Sequence, residues 1–135
     1  MVSADDVVAR FTALVQRQAR AWQEQDLAAI LADYHPDALF EAPGGMVAQG
    51  HTAIGQAALS YFADYHQITA RVMVTVADPG GQRGAVEWHW SATHRQTGVR
   101  EGTPDGIIVE LRDGLISRWR EYFDTAYDQP EPWSG

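Results

Sequence analysis

Apolar residues recur at three- and four-residue steps in the first part of the chain and at two-residue steps in the second. The first pattern predicts a helix over residues 3–23, with one apolar face. Gln18 is a polar residue on that face, so it either satisfies a buried partner or contacts a bound molecule. A second short helix is predicted over residues 27–33, capped by Asp26, and a third is predicted to be capped by Thr52.

The alternating pattern predicts strands, and Gly- and Pro-containing turns separate them. The predicted strands cover residues 38–42, 68–76, 84–94, 101–111 and 115–125. Helices followed by a meander of strands indicate an α+β domain, in which a curved antiparallel β-sheet forms a cone covered by three N-terminal helices. We expect a single domain over residues 1–127 and a C-terminal tail over residues 128–135.

Composition narrows the possible functions. The chain has 135 residues, 45% of them hydrophobic, and a formal net charge of −8, which argues against nucleic acid as a partner. It contains no cysteine, and its five histidines do not pair at the spacing of metal ligands, so neither a metal nor a cofactor is expected. No apolar run approaches the length of a membrane span, and the N-terminus lacks a signal-peptide pattern, which predicts a cytoplasmic protein.

Glu121 is the best candidate for chemistry. The two-residue period of its predicted strand places it on one face between Trp119 and Phe123. A carboxylate between two large aromatic residues loses hydration, which raises its pKa toward the range useful for proton transfer. The alternative is an ordinary surface glutamate, or one paired with Arg118 or Arg120 of a neighbouring copy.

Several segments carry a resemblance to a known superfamily: residues 25–30, 34–38, 42–45, 113–116 and 119–124. In their order and spacing they resemble the nuclear-transport-factor-two-like superfamily, which includes ketosteroid isomerases, limonene epoxide hydrolases and SnoaL-like polyketide cyclases. The resemblance implies a cone of the cystatin-like α+β barrel type. It is weak evidence for activity, because this fold supports many functions.

A position-by-position match with the ketosteroid isomerases shows that most of their catalytic residues are absent from this chain. The aspartate that serves as their base corresponds to Ala42, and their first-helix tyrosine corresponds to Gln18. Their protonated aspartic acid corresponds to Asp105. The resemblance therefore implies that steroid isomerisation by that mechanism is not retained.

Matching limonene epoxide hydrolases gives a similar result. Their arginine and aspartate on one strand correspond to Trp88 and Trp90, and their tyrosine and asparagine to Phe40 and Ala42. Only their last-strand acid is matched, by Glu121. Epoxide hydrolysis by that route is not expected.

What the resemblance does imply is a pocket with aromatic walls and two carboxyls. Glu121 is the predicted acid/base and Asp105 its partner, and the predicted substrate-binding residues are Gln18, Trp22, Phe40, Trp88, Trp90, Ile107, Trp119 and Phe123. Such walls suit a small hydrophobic polyketide- or terpenoid-like molecule, which would undergo cyclisation, isomerisation or dehydration. The alternatives are a cone filled by its own aromatic residues and a non-catalytic ligand-binding or dimerisation module. The outer sheet face is expected to form a homodimer, as is common in this superfamily.

Overall fold

A computed structural model describes residues 3–125, and the predicted tail lies outside the described residues. Helix α1 spans Ala4–Gln23, and its N-cap Ser3 accepts a hydrogen bond from the backbone N–H of Asp6 at 3.1 Å. Helix α2 spans Leu27–Ala32 and is capped by Asp26, as the sequence predicts. Both helices begin at residues whose side-chain oxygens satisfy free N–H groups.

The third helix, α3, spans Gly50–Asp64. The prediction that Thr52 caps it is wrong, because Gln49 occupies the N-cap and Thr52 lies inside the first turn. Gly50 begins the helix with a φ of 85°, a conformation that favours glycine. The chain therefore turns into α3 through backbone freedom and not through a side-chain cap.

Six strands form one sheet: β1 Tyr34–Ala42, β2 Met46–Gln49, β3 Tyr65–Ala77, β4 Arg83–His94, β5 Arg100–Arg112 and β6 Leu115–Tyr122. The spatial order is β2-β1-β6-β5-β4-β3, so the curved sheet stays open between β2 and β3. The strand pattern misses β2. It also predicts a purely antiparallel sheet, whereas β1 pairs with β6 in parallel after the chain has passed through β2, α3 and three further strands.

One end of the cone is closed by α1. The ring of Phe11 lies directly over Gly84, so closely that a Cβ on residue 84 would overlap the ring. Beside it, the hydroxyls of Thr12 and Thr75 are hydrogen-bonded at 2.7 Å. Val109, which is paired with Gly84, and Val86 are buried at this end of the sheet.

None of the helices within residues 3–125 is long and apolar enough to cross a membrane.

Candidate active site

A cavity of about 330 Å³ opens at the uncapped end of the cone. Its volume is at the lower end of the range for small-molecule sites, which suits a compact ligand. Eight aromatic residues contribute to its wall: Trp22, Phe40, Tyr61, Tyr65, Trp88, Trp90, Trp119 and Phe123. The cone is therefore open at this end, and its own aromatic residues do not fill it.

Three indoles of the sheet stand side by side along the cavity. The ring centroids of Trp88 lie 5.4 Å from those of Trp119 and 5.8 Å from those of Trp90. Trp22 of α1 meets Trp90 edge-to-face at 5.7 Å. The four indoles therefore pack against one another along the wall, and the Trp22–Trp90 pair has the edge-to-face arrangement that aromatic rings favour.

The two carboxyls come from neighbouring strands. Asp105 on β5 is paired with Trp88 on β4, and Ile107, two residues further along β5, is paired with Glu121 on β6. Because side chains of directly paired residues share a face, Asp105 and Glu121 are diagonal neighbours on the concave side. Both line the cavity.

The indole of Trp88 holds Asp105 in place. Its Nε1–H donates to Oδ2 of Asp105 at 3.3 Å, and Asp105 is only 4% exposed. The other oxygen, Oδ1, is buried and has no hydrogen-bond donor among the described residues. One carboxylate oxygen is thus left for a proton or a ligand.

Glu121 is strongly perturbed. Its carboxyl is enclosed although the residue as a whole is only partly buried, and this burial raises its pKa well above the ordinary value. The charge of Asp105 and hydrogen bonding to Asp105 raise the pKa of Glu121 further, while the Trp119 side chain opposes the change. Glu121 is therefore the member of the pair that keeps a proton longer.

Asp105 is perturbed in the same direction. Burial raises its pKa to about 6, and hydrogen bonds with the side chains of Glu121 and Trp88 and with the backbone of Tyr122 limit the increase. Two close carboxyls share their protons, so they titrate as a pair. Near neutral pH the pair consists of an ionised Asp105 and a Glu121 that retains its proton preferentially.

Tyr61 adds a neutral hydroxyl to the cavity wall. Its oxygen accepts the indole N–H of Trp90 at 2.7 Å, which leaves its own hydrogen free to donate. Burial raises the pKa of Tyr61, so the hydroxyl stays protonated. In the sequence, Tyr61 is one of the apolar-face positions of α3, and only its polar tip distinguishes it from a core residue.

The structure separates the predicted binding residues into two groups. Trp22, Phe40, Trp88, Trp90, Trp119 and Phe123 line the cavity. Gln18 and Ile107 do not: both are fully buried behind it. The amide of Gln18 donates to the backbone oxygen of Ile30 at 3.0 Å and to Oδ2 of Asp33 at 3.3 Å, so it ties α1 to α2.

Sequence reasoning missed several lining residues. Tyr65 begins β3 and stacks on Tyr61, with ring centroids 4.7 Å apart. Glu101 and Asp124 add two acidic groups that line the cavity beside the pair. Alternation along β5 places Glu101 on the same face as Asp105 and could have identified it, whereas Asp124 follows the end of β6 and carries no such signal. Within residues 3–125 no group of three acidic or histidine side chains is placed to hold a metal ion.

An open cone of six strands, covered by helices and carrying its cavity at the mouth, defines the nuclear-transport-factor-two-like fold. The family model for the SnoaL-like domain matches residues 15–119, and the chain belongs to that family. The resemblance inferred from the sequence is confirmed. No curated protein matches the sequence.

Solved structures share the fold. A protein from Xanthomonas campestris pv. campestris, provisionally named a polyketide cyclase, is 25% identical with a TM-score of 0.80, covering 87% of this chain and 93% of its own. A protein with a ketosteroid isomerase-like fold from Catenulispora acidiphila, solved in complex with trimethylamine, is 14% identical with a TM-score of 0.78, covering 90% of this chain and 97% of its own. An LEH-like epoxide hydrolase from M. tuberculosis is 19% identical with a TM-score of 0.76, covering 90% and 87%. The last two likenesses concern the fold alone.

Proposed function

We propose that the protein is a cofactor-independent enzyme that moves protons on a small hydrophobic substrate of the polyketide or terpenoid type, in an isomerisation, cyclisation or dehydration. One observation carries the proposal: two enclosed carboxyls from adjacent strands, Asp105 and Glu121, line one aromatic cavity. Environments that keep one carboxyl ionised and its neighbour protonated are those that assign the roles of base and acid.

The roles follow from the surroundings of each group. Asp105, whose Oδ1 has no donor, is the base that removes a substrate proton. Glu121 holds its proton more tightly and returns one at a second substrate atom. The hydroxyl of Tyr61 is a donor for a substrate oxygen on which negative charge develops. General acid–base catalysis of this kind contributes roughly 10²–10⁴-fold.

The route differs from those of the ketosteroid isomerases and the limonene epoxide hydrolases. Ala42 and the indoles of Trp88 and Trp90 stand where those classes carry acids, an arginine or other polar groups. The proton-transfer pair is therefore moved to β5 and β6, and the indole positions serve as walls. Exclusion of water by these walls strengthens electrostatic interactions inside the cavity.

Exchange of carbon-bound protons tests the proposal without knowledge of the natural substrate. The probe is 2-tetralone, a flat hydrophobic ketone whose α-protons exchange with deuterium in D₂O, followed by ¹H NMR. We expect the wild-type protein to accelerate exchange, and Asp105→Asn and Glu121→Gln each to lower that acceleration by about 10²-fold or more. Asp113→Asn, on the exposed β5–β6 turn, is the matched control and should leave the rate unchanged.

A different outcome would support the alternative function. If 2-tetralone perturbs the indole fluorescence but wild type and all three variants leave exchange at the buffer rate, the cavity binds ligands without catalysis. Equal acceleration by the wild type and by both pair variants would assign the exchange to a different group. Either result overturns the acid–base proposal.

We also propose a homodimer through the outer face of the sheet. Val76 and Tyr122 are 55% and 57% exposed there, and Nε of Arg120 is buried without an acceptor among residues 3–125. Val76→Glu should convert the dimer to a monomer in multi-angle light scattering. Leu59→Glu, at a residue 53% exposed on α3 and not on the sheet, is the control that should not change the mass.

A further inference from the structure

The charge of the cavity is one-sided. Four carboxylic acids line it: Asp105 and Glu121 inside, with Glu101 and Asp124 beside them. No arginine or histidine within residues 3–125 lines it, although the chain carries ten basic residues and five histidines. A binding site with acids only repels carboxylates and phosphates and attracts cations.

The aromatic wall has the matching property. Trp90 stands nearly perpendicular to two neighbours: its ring plane makes 74° with that of Trp22 and 65° with that of Tyr61, at centroid distances of 5.7 and 5.6 Å. The wall therefore turns a corner built of aromatic rings. The faces of aromatic rings carry negative potential, and indole is the most effective ring for attracting an organic cation.

The interior acid lacks a partner that a cation would supply. Asp105 is 4% exposed; the indole N–H of Trp88 donates to its Oδ2, and its other side-chain partner is the second acid, Glu121. Neither partner supplies a positive charge, and Oδ1 has no hydrogen-bond donor among the described residues. A buried carboxylate is costly unless it is paired with a charge or fully hydrogen-bonded, so a positive ligand would remove a cost that a neutral ligand leaves in place.

We propose that the cavity binds small apolar molecules that carry a positively charged nitrogen, held by the rings of Trp90 and Tyr61 and by the carboxylate of Asp105. This inference rests on the proposed function only because it places the substrate in the same cavity. Among the hydrophobic substrates considered above, it selects those with a positively charged nitrogen. Anionic substrates, including carboxylic acids and phosphorylated thioesters, are excluded by the same charges.

Three probes separate the contribution of charge to binding from that of shape. Phenyltrimethylammonium carries a permanent positive charge, tert-butylbenzene is its neutral carbon isostere, and benzoate is an anion. Binding is followed at pH 7.5 and fixed ionic strength by the ¹H–¹⁵N shifts of the indole N–H groups. We expect phenyltrimethylammonium to bind at least about tenfold more tightly than tert-butylbenzene, and benzoate not to bind.

Variants test the carboxylates. Asp105→Asn keeps the shape of the side chain and should weaken phenyltrimethylammonium about tenfold while changing tert-butylbenzene less than twofold. Asp113→Asn makes the same chemical change on the distant β5–β6 turn, where a φ of 54° is tolerated by asparagine, and should change neither. Glu101→Gln, at an exposed position, should weaken the cation two- to threefold, with an effect that salt reduces.

The outcomes are distinct from those of the exchange assay. If tert-butylbenzene binds as tightly as phenyltrimethylammonium, or benzoate binds, the inference is overturned while acid–base catalysis on 2-tetralone still stands. If exchange catalysis is absent and the cation is still preferred, the proposed function fails and the ligand class stands. Should Asp105→Asn not fold, the wild-type probe series and Glu101→Gln decide the question alone.

Discussion

Replacing Asp105 by asparagine should stabilise the protein at neutral pH and not at acidic pH. The reason is that folding raises the pKa of this carboxyl from 3.8 to about 6, chiefly through burial. A carboxyl with a raised pKa in the folded state binds more protons there than in the unfolded chain, so the free energy of unfolding falls as pH rises between the two values. Asparagine has no proton to lose and does not pay this cost.

The magnitude follows from the two pKa values. Their difference corresponds to about 3 kcal/mol in the free energy of unfolding once the pH is above both, at roughly 1.4 kcal/mol per pH unit. About 2 kcal/mol of that change falls between pH 4.5 and 7.5, because the unfolded aspartate is already mostly ionised at the lower limit. The substitution also removes the repulsion between the Asp105 and Glu121 carboxylates, which adds to the stabilisation at pH 7.5. Both contributions therefore increase the stability of Asp105→Asn relative to wild type as the pH rises.

Urea denaturation of wild type and Asp105→Asn across this pH range measures the effect. The quantity of interest is the difference between the two free energies of unfolding at each pH. Carboxyls with lowered pKa values, such as Asp37 and Glu41, destabilise both proteins alike as pH falls, and so they cancel. Asp113→Asn should give a flat difference. If the free energy of unfolding of Asp105→Asn relative to wild type does not change with pH, or falls toward pH 7.5, then Asp105 is not a buried carboxylate that destabilises the fold.

Three further substitutions test other parts of the structure. Gly84→Ala should destabilise the fold by about 1–3 kcal/mol in urea denaturation, because the new methyl group overlaps the ring of Phe11. Trp88→Phe removes the indole donor from the ionised form of Asp105, so the pKa of Asp105 should rise above about 6, and the lower limb of the pH–rate profile for 2-tetralone exchange should move to higher pH. Gln18→Met should cost about 1–3 kcal/mol in stability through the lost hydrogen bonds to α2, while the affinity for phenyltrimethylammonium stays the same.

The sequence predicts the long elements because their apolar residues follow a clear period. Helix α1 and strands β3 to β6 each bury one face, and that requirement leaves a pattern in the chain. Strand β2 escapes prediction because it has only four residues, of which one is buried. The parallel pairing of β1 with β6 cannot be predicted from the local sequence either, because it depends on the connections between the strands.

The site is predictable to the extent that it lies within regular strands. Alternation places Glu121 on the same face as Trp119, and Asp105 on the same face as Ile107, before any coordinates are known. Pairing between strands decides the rest: Ile107, and not Asp105, lies directly opposite Glu121, so the two acids are diagonal neighbours. Gln18 shows the limit of the method, because one polar residue in an apolar stripe looks the same whether it faces a ligand or a neighbouring helix.

The position of the acids in the fold explains why an anionic cavity persists in a protein that gains no stability from it. The concave face needs apolar side chains to pack against the helices, and indoles meet that need directly beside the acids: Trp88 is paired with Asp105, and Trp119 lies two residues from Glu121 on β6. Two aliphatic residues there would bury more apolar surface and remove two raised pKa values. Carboxyls that oppose folding and converge on a cavity that stays open are features of a functional site and not of a core. The fold is thus stabilised at its closed end, where Phe11 covers Gly84, and carries its unfavourable charges at the open end, where a ligand can compensate them.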